Sequence, residues 1–244
     1  MPEAIHTGSA GLDAGFVGIP ARDGELPGYR ALPAAGAKFP VVLVIQEIFG
    51  VNGYIQDVCR RLARLGYFAI APELYFRQGD PSKVKDWQEL RDKIVSRVPD
   101  EQVMSDLDSS AAFAEASGRG DLSRLYATGF CWGGRMIWFY AAHSPQLRAA
   151  VAWYGRLSGE KNELHPKNPI DVVGELKCPV LGLYGGLDKG IPPDQVQAMQ
   201  AKGAGIIVYP GADHAFHADY RPSYHPAAAE DGWKRMLAWF DSHF

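Results

Sequence analysis

The chain alternates short, continuous apolar runs with longer segments whose apolar residues recur at helical spacing. Apolar runs of strand length predict buried strands at 41–45, 67–71, 149–154, 179–184 and 206–209, with another at 124–127. Helical spacing predicts helices at 55–65, 84–98, 103–116, 135–142, 195–202 and 227–240. Two further runs, 16–20 and 29–32, predict an antiparallel strand pair. The alternation predicts an α/β domain with a mostly parallel central sheet covered by helices on both faces.

Composition limits the class of protein to which this chain belongs. Its 244 residues, 47% of them hydrophobic, suit one domain spanning 1–244. A net charge of −3 without a basic cluster argues against nucleic acid or an anionic membrane as a partner. The polar, glycine-rich start lacks the features of a signal peptide, and no apolar run suggests a membrane span. We therefore expect a cytoplasmic protein.

The three cysteines Cys59, Cys131 and Cys178 show neither metal-ligand spacing nor a disulfide framework, which suits a reducing compartment. No ligand cluster or phosphate-binding loop appears, so no metal or organic cofactor is predicted. Cys59 lies in a helical stretch and Cys178 precedes a strand, and both are predicted to be inert packing residues.

Cys131 differs from the other two because it lies in the segment Thr128-Gly129-Phe130-Cys131-Trp132-Gly133-Gly134, between a predicted strand and a predicted helix. Glycines two before and two after a central nucleophile are what a nucleophile elbow requires, since larger residues would collide in so sharp a turn. The helix N-terminus would favour a thiolate. The alternative is a small buried cysteine in a glycine-rich turn.

A nucleophilic cysteine needs a base and an orienting acid, and the sequence supplies candidates in the order nucleophile, acid, histidine. Asp188 follows a predicted strand, and His214 follows the last one, so both lie at the carboxyl ends of parallel strands. His217 is the competitor of His214. Asp213 is a weaker rival of Asp188, because a residue adjacent to the histidine cannot easily face its ring.

These residues predict acyl transfer to Cys131, with His214 as general base and then acid and Asp188 fixing its tautomer. The oxyanion hole is predicted from the backbone N–H groups of Trp132 and Ile48. A thiolate is itself a good leaving group, so it expels an alkoxide or enolate more usefully than an amine. Esters, lactones and thioesters are thus expected substrates.

The chain resembles the dienelactone hydrolase (carboxymethylenebutenolidase) family from about residue 15 to its end. The resemblance rests on Gln46-Glu47-Ile48-Phe49-Gly50, 71–75 (Ala-Pro-Glu-Leu-Tyr), 129–134 around Cys131, 184–188 and His214-Ala215-Phe216. It implies the α/β-hydrolase fold with a cysteine nucleophile. It also implies that Glu47 holds the resting cysteine protonated, then swings away and helps to generate the thiolate.

The resemblance further implies arginines that bind a substrate carboxylate. After the strand at 67–71, Arg77 is the candidate and Arg91 its rival. The family's second arginine, four residues after the histidine, is replaced here by Ala218, for which Arg221 or His217 is the possible substitute. The aromatic residues Phe216, Tyr220 and Tyr224 would admit bulkier, less charged substrates.

Three functions follow from these predictions. The first is hydrolysis of a carboxylated dienelactone or similar enol-lactone in the breakdown of aromatic compounds. The second is a broader carboxylesterase or thioesterase with the same triad. The third, a binding module without turnover, is disfavoured because binding alone does not require an ordered nucleophile, base and acid.

Overall fold

The computed structural model describes residues 4–243. Its strands are β1 (Leu12–Ala21), β2 (Gly24–Pro33), β3 (Phe39–Ile45), β4 (Phe68–Pro72), β5 (Gly120–Phe130), β6 (Leu147–Trp153), β7 (Val180–Gly185) and β8 (Gly205–Tyr209). Its helices are α1 (Gly53–Arg64), α2 (Trp87–Lys93), α3 (Asp100–Ala116), α4 (Trp132–His143), α5 (Pro169–Val172), α6 (Pro193–Ala201) and α7 (Pro226–Asp241). Short 3₁₀ turns lie at 81–83, 95–97 and 173–175.

The eight strands form one sheet in the order β1-β2-β4-β3-β5-β6-β7-β8. β1 and β2 form an antiparallel pair, β2 is antiparallel to β4, and β3 to β8 run parallel. β3 lies between β4 and β5, so the chain changes its winding direction there. At such a switch point the carboxyl ends of two strands open a crevice, which is where open α/β sheets bind ligands.

Helices pack around this sheet. Every residue of β4 and β7 is buried, and because successive strand side chains point to opposite faces, both faces of the sheet are covered there. Helix α4 is buried along most of its length between its neighbouring elements. These observations confirm the predicted α/β architecture. Within residues 4–243, no helix combines the length and the apolar character that crossing a membrane requires.

The predicted helix at 84–98 is wrong in extent. The α-helix is only Trp87–Lys93, it begins where the Asp86 carboxylate accepts the Glu89 N–H, and a 3₁₀ turn follows it. Leu90 is its single buried residue. A mostly exposed helix gains little from packing, and isolated helices of this length are marginal, so its ends are not extended beyond the cap.

Candidate active site

Cys131 occupies the turn between β5 and α4 in a backbone conformation that non-glycine residues rarely adopt, with φ 55° and ψ −114°. Its N–H donates to the Trp153 carbonyl at 3.0 Å, which fixes the turn to the neighbouring strand β6. A Cβ at Gly133 would lie 2.5 Å from the Gln46 carbonyl oxygen and closer still to that of Ile45. The glycine requirement of an elbow is therefore met, with the loop after β3 against the first turn of α4.

His214 connects Cys131 to Asp188 through its two ring nitrogens. Its Nε2 lies 3.1 Å from the Cys131 Sγ, and its Nδ1 lies 2.7 Å from the Asp188 Oδ2. Because ionised Asp188 can only accept, Nδ1 carries the hydrogen and a neutral ring presents Nε2 as an acceptor for the thiol proton. The three side chains lie after β5, β7 and β8, at the same edge of the sheet. The arrangement is that of a nucleophile, a base and an orienting acid.

The electrostatics of the three groups favour a charged histidine. Burial alone would lower the pKa of His214, but the hydrogen bonds with Asp188 and Cys131 outweigh burial and raise this pKa to about 10. An imidazolium beside the sulfur stabilises a thiolate, which is the nucleophilic form of cysteine. By contrast, burial raises the pKa of the Cys178 thiol to about 12 and that of Cys59 even further.

Asp188 is held in place independently of His214. Its carboxylate is buried, and Oδ1 accepts the N–H of Gly190 at 2.8 Å while Oδ2 faces the imidazole. The rival Asp213 is exposed, and its Oδ1 accepts the backbone N–H of His214 instead of a ring hydrogen. The geometry therefore supports Asp188 as the orienting acid.

Backbone strain among residues 4–243 concentrates at this site. Three non-glycine residues have positive φ: Cys131, Tyr154 with φ 39° at the end of β6, and Ala215 with φ 61° just after the histidine. The ring of Tyr154 meets that of His214 edge-on at 5.3 Å. Strained backbone persists only where its surroundings hold it, and it often marks functional sites.

Trp132 and Ile48, the two predicted donors of an oxyanion hole, lie on elements that pack against each other. Trp132 is the first residue of α4, and since the bond from Arg135 N–H to the Cys131 carbonyl begins the helical ladder, the Trp132 N–H has no place in it. Ile48 is half-buried in the tight turn after β3, which the contact at Gly133 brings against the start of α4.

Glu47 belongs to the same turn after β3, where it pairs with Gly50, and it is completely buried. Its Oε2 accepts the hydroxyl hydrogen of Tyr220 at 2.7 Å, while Oε1 has no hydrogen-bond partner among the described residues. Burial raises the pKa of Glu47, and the Tyr220 hydrogen bond and the charges of Arg221 and His214 oppose that rise. In this structure the partner of the cysteine is His214, whereas Glu47 is bound to Tyr220.

The hydroxyls of Tyr75 and Tyr154 are buried and interact with the side chains of Gln46 and Tyr54, respectively. Burial raises the pKa of both, and the negative charge of Cys131 raises it further. The Tyr75 ring also meets that of Trp132 at 4.8 Å. Nothing in the local sequence pattern distinguished Tyr154 from a core residue, whereas Tyr75 ends the segment 71–75 on which the resemblance rests.

His217 does not compete for the role of base. It is buried in an aromatic cluster, stacked on Phe130 and Trp233, and its Nδ1 lies 2.6 Å from the Tyr54 hydroxyl. Burial and the charge of Arg61 lower its pKa to about 3. A ring that stays neutral at pH 7 cannot neutralise a substrate carboxylate. Phe216, expected in the wall of the site, is instead a fully buried core residue.

Arg77 is engaged by the protein itself. Its guanidinium forms hydrogen bonds with both carboxylate oxygens of Asp23 and both of buried Asp106. All three of its side-chain nitrogens take part in these bonds, so binding a substrate carboxylate would require breaking an ion pair. The geometry therefore favours a structural role for Arg77, against the expectation from the resemblance.

The remaining arginines differ in their surroundings. Arg91 is exposed on α2, where it pairs with Asp92 and lies over the Trp87 ring. Arg221 is half-buried over the ring of Phe49, the residue after Ile48, and its charge acts on Glu47. No carboxylate within the described range pairs with Arg221. It is thus the arginine that lies beside the site with its charge available.

Comparison with known proteins adds to this geometry. A model of the dienelactone hydrolase family matches residues 26–244. A protein of Methylorubrum extorquens named "Putative carboxymethylenebutenolidase" is 58% identical, over 97% of this chain and 83% of its own length. One of Escherichia coli with the same name is 54% identical, over 98% of this chain and 90% of its own length. A solved structure titled "Putative Dienelactone Hydrolase", from Klebsiella pneumoniae, superposes with a TM-score of 0.91 at 56% identity, covering 94% of this chain and 98% of that one.

Proposed function

Because this chain belongs to the dienelactone hydrolase family, we propose that it cleaves a carboxylated enol-lactone, or a similar ester, through an acyl-enzyme on Cys131. Family membership makes it a hydrolase of ester or lactone bonds with the α/β-hydrolase fold. The observation that carries the finer proposal is the hydrogen-bonded series of Cys131, His214 and Asp188.

Acylation begins when Nε2 of His214 takes the thiol proton of Cys131, and Asp188 stabilises the imidazolium. The thiolate attacks the carbonyl carbon of the lactone, a C–S bond forms, and the carbonyl oxygen becomes an oxyanion. The N–H groups of Trp132 and Ile48 donate to that oxyanion, and each such donor is worth about 3–4 kcal/mol in the transition state.

Collapse of this intermediate breaks the ring C–O bond. The ring oxygen leaves as an enolate and takes the proton from His214, so that the acyl group stays on the sulfur as a thioester. Deacylation repeats the steps with water: His214 removes a proton from the water, hydroxide adds to the thioester carbonyl, and the C–S bond breaks. The product is a single open-chain molecule that carries both a carboxylic acid and an enol, and Cys131 is regenerated with the proton of His214.

Arg221 is the group that we assign to the substrate carboxylate. Its guanidinium lies on Phe49, next to the proposed oxyanion donor Ile48, and it has no carboxylate partner of its own within residues 4–243. A guanidinium binds a carboxylate through two parallel N–H···O bonds, which gives orientation as well as affinity. A carboxylated lactone bound this way would present its ring carbonyl near the thiol.

The test compares a carboxylated enol-lactone with the methyl ester of the same compound. Cys131→Ala should abolish turnover of both substrates while circular dichroism shows an intact fold. Arg221→Ala should reduce kcat/KM about tenfold or more for the free acid and little for the methyl ester. Turnover that survives Cys131→Ala would refute the acyl-enzyme. A wild-type preference for the methyl ester would instead indicate a broad carboxylesterase or thioesterase with the same triad.

A further inference from the structure

The Glu47–Tyr220 pair is a buried polar contact that the proposed reaction does not use. Glu47 is fully buried, yet the single hydrogen bond of its side chain within the described range is the one that it accepts from Tyr220 at 2.7 Å. An ionised carboxylate buried with one partner is costly, so the position of this hydroxyl decides where the carboxylate rests. Without that bond, the side chain would turn toward other donors.

The backbone places Glu47 beside the cysteine turn, because the carbonyl oxygen of Gln46, the preceding residue, would lie 2.5 Å from a Cβ at Gly133 in the first turn after Cys131. The charges of Glu47 and of Cys131 both act on the buried phenols Tyr75 and Tyr154. His214 also acts electrostatically on Glu47. In a compartment of low dielectric, a carboxylate that approached the sulfur would raise the pKa of the thiol and hold its proton.

Tyr220 is itself well supported. Its ring packs on that of Tyr54 at 5.6 Å, and the Tyr54 hydroxyl is in turn bound to the Nδ1 of His217 at 2.6 Å. On its other side, Tyr220 forms part of the wall of a cavity of about 580 Å³. The Tyr220 ring is therefore held by aromatic contacts that do not involve its hydroxyl, and the hydroxyl donates to Glu47.

We propose that Tyr220 is a positioning residue, whose hydroxyl holds the Glu47 carboxylate away from Cys131 so that the thiol pairs with His214 before any substrate binds. This inference rests on the proposed function, since it concerns the activation of the same cysteine. It assigns to this chain a cysteine that is activated by its resting geometry. Among the described residues, the charged groups that act on Glu47 are Arg221, His214 and Asp219, and the phenols are Tyr54, Tyr75, Tyr154 and Tyr220.

The experiment measures alkylation of Cys131 by iodoacetamide as a function of pH, followed by mass spectrometry of the peptide that contains it. Because only the thiolate reacts, the midpoint of the plot of alkylation rate against pH reports the protonation of Cys131. Tyr220→Phe keeps the ring and removes the hydroxyl. We expect the midpoint to rise and the rate at pH 6 to fall about tenfold, the typical effect of losing one hydrogen bond to a charged group. For ester hydrolysis, kcat should fall with little change in KM.

A second variant separates positioning from packing. If the hydroxyl acts through the carboxylate, Tyr220→Phe should produce no further change when it is added to Glu47→Gln. Tyr140→Phe is the matched control, since it removes a hydrogen bond from a phenol to a carboxylate, that of Asp108, in the last turn of α4. Its alkylation midpoint should equal that of the wild type.

Two results would overturn the inference: an unchanged midpoint in Tyr220→Phe, or an equal change with and without Glu47→Gln. The latter would mean that the hydroxyl matters only for packing. Alkylation does not depend on ester turnover, so it remains informative even if hydrolysis survives Cys131→Ala. Failure of the proposed function and failure of this inference are therefore distinguishable.

Discussion

Replacing Asp188 by asparagine should inactivate the enzyme by reversing the tautomer of His214. The carboxylate has two acceptor oxygens, of which one binds the Gly190 N–H at 2.8 Å and the other the histidine Nδ1 at 2.7 Å. An amide has a single acceptor oxygen. If that oxygen keeps the bond to Gly190, the NH₂ group faces Nδ1, which must then accept. The hydrogen moves to Nε2, and the ring can no longer take the thiol proton.

The magnitude follows from the same two bonds. Holding the productive tautomer in the variant would leave a buried donor unpaired, at about 1–3 kcal/mol. The imidazolium would also lose a hydrogen bond to a charged partner, at about 1.5–3 kcal/mol. The total of about 2.5–6 kcal/mol corresponds to a loss of roughly 10²- to 10⁴-fold in kcat, in the range expected when a triad loses its acid.

The assay is kcat for a neutral aryl acetate, whose binding does not depend on a carboxylate site. Asp213→Asn is the matched control, because this exposed acid is next to His214 and an asparagine oxygen can still accept the same backbone N–H. It should retain activity within about twofold, since an exposed substitution that keeps its bond has little effect. If Asp188→Asn kept more than a tenth of the activity, or Asp213→Asn lost as much, Asp188 would not be the orienting acid.

Gly133→Ala should lower the free energy of unfolding in urea by about 1–3 kcal/mol or more, since its methyl group meets two backbone carbonyls. Gly53→Ala is the control: its methyl group would enter open space and should change this free energy by less than about 1 kcal/mol. Equal effects of the two substitutions would contradict the packing of the elbow. Arg77→Met should destabilise the fold by about 2–4 kcal/mol by leaving buried Asp106 unpaired. Its preference for free acid over methyl ester should not change, and a selective loss on the acid would return the carboxylate role to Arg77. Because the pKa of His214 is raised to about 10 in the fold, its contribution to stability is complete below pH 6.5 and is lost between pH 6.5 and 10. Urea titrations at pH 7 and pH 10 should show this loss in the wild type and a smaller one in Asp188→Asn, and identical losses would contradict it.

The parts of the site that depend on local backbone geometry could be predicted from the sequence. Glycines 129 and 133 flank Cys131 at the spacing of an elbow, and the strand pattern put Asp188 and His214 at strand ends in the required order. The structure brings those three side chains together. The helix predicted at 84–98 was too long for a related reason, since helical spacing alone does not reveal that the segment has almost nothing to pack against.

Pairings between distant side chains could not be predicted in the same way, and the substrate carboxylate shows why. Arg77 was the candidate because of its place after the strand at 67–71, but its partners Asp23 and Asp106 are 54 and 29 residues away along the chain. Such pairs leave no periodic signal, so proximity to a motif cannot tell an ion-paired arginine from an available one. Carboxylate binding requires a guanidinium without an ion pair of its own, and for this reason we propose Arg221, which lies over the Phe49 ring, for that role. The residues of the proposed reaction could therefore be predicted from local backbone geometry. The choice of substrate depends instead on which distant side chains form ion pairs with each other.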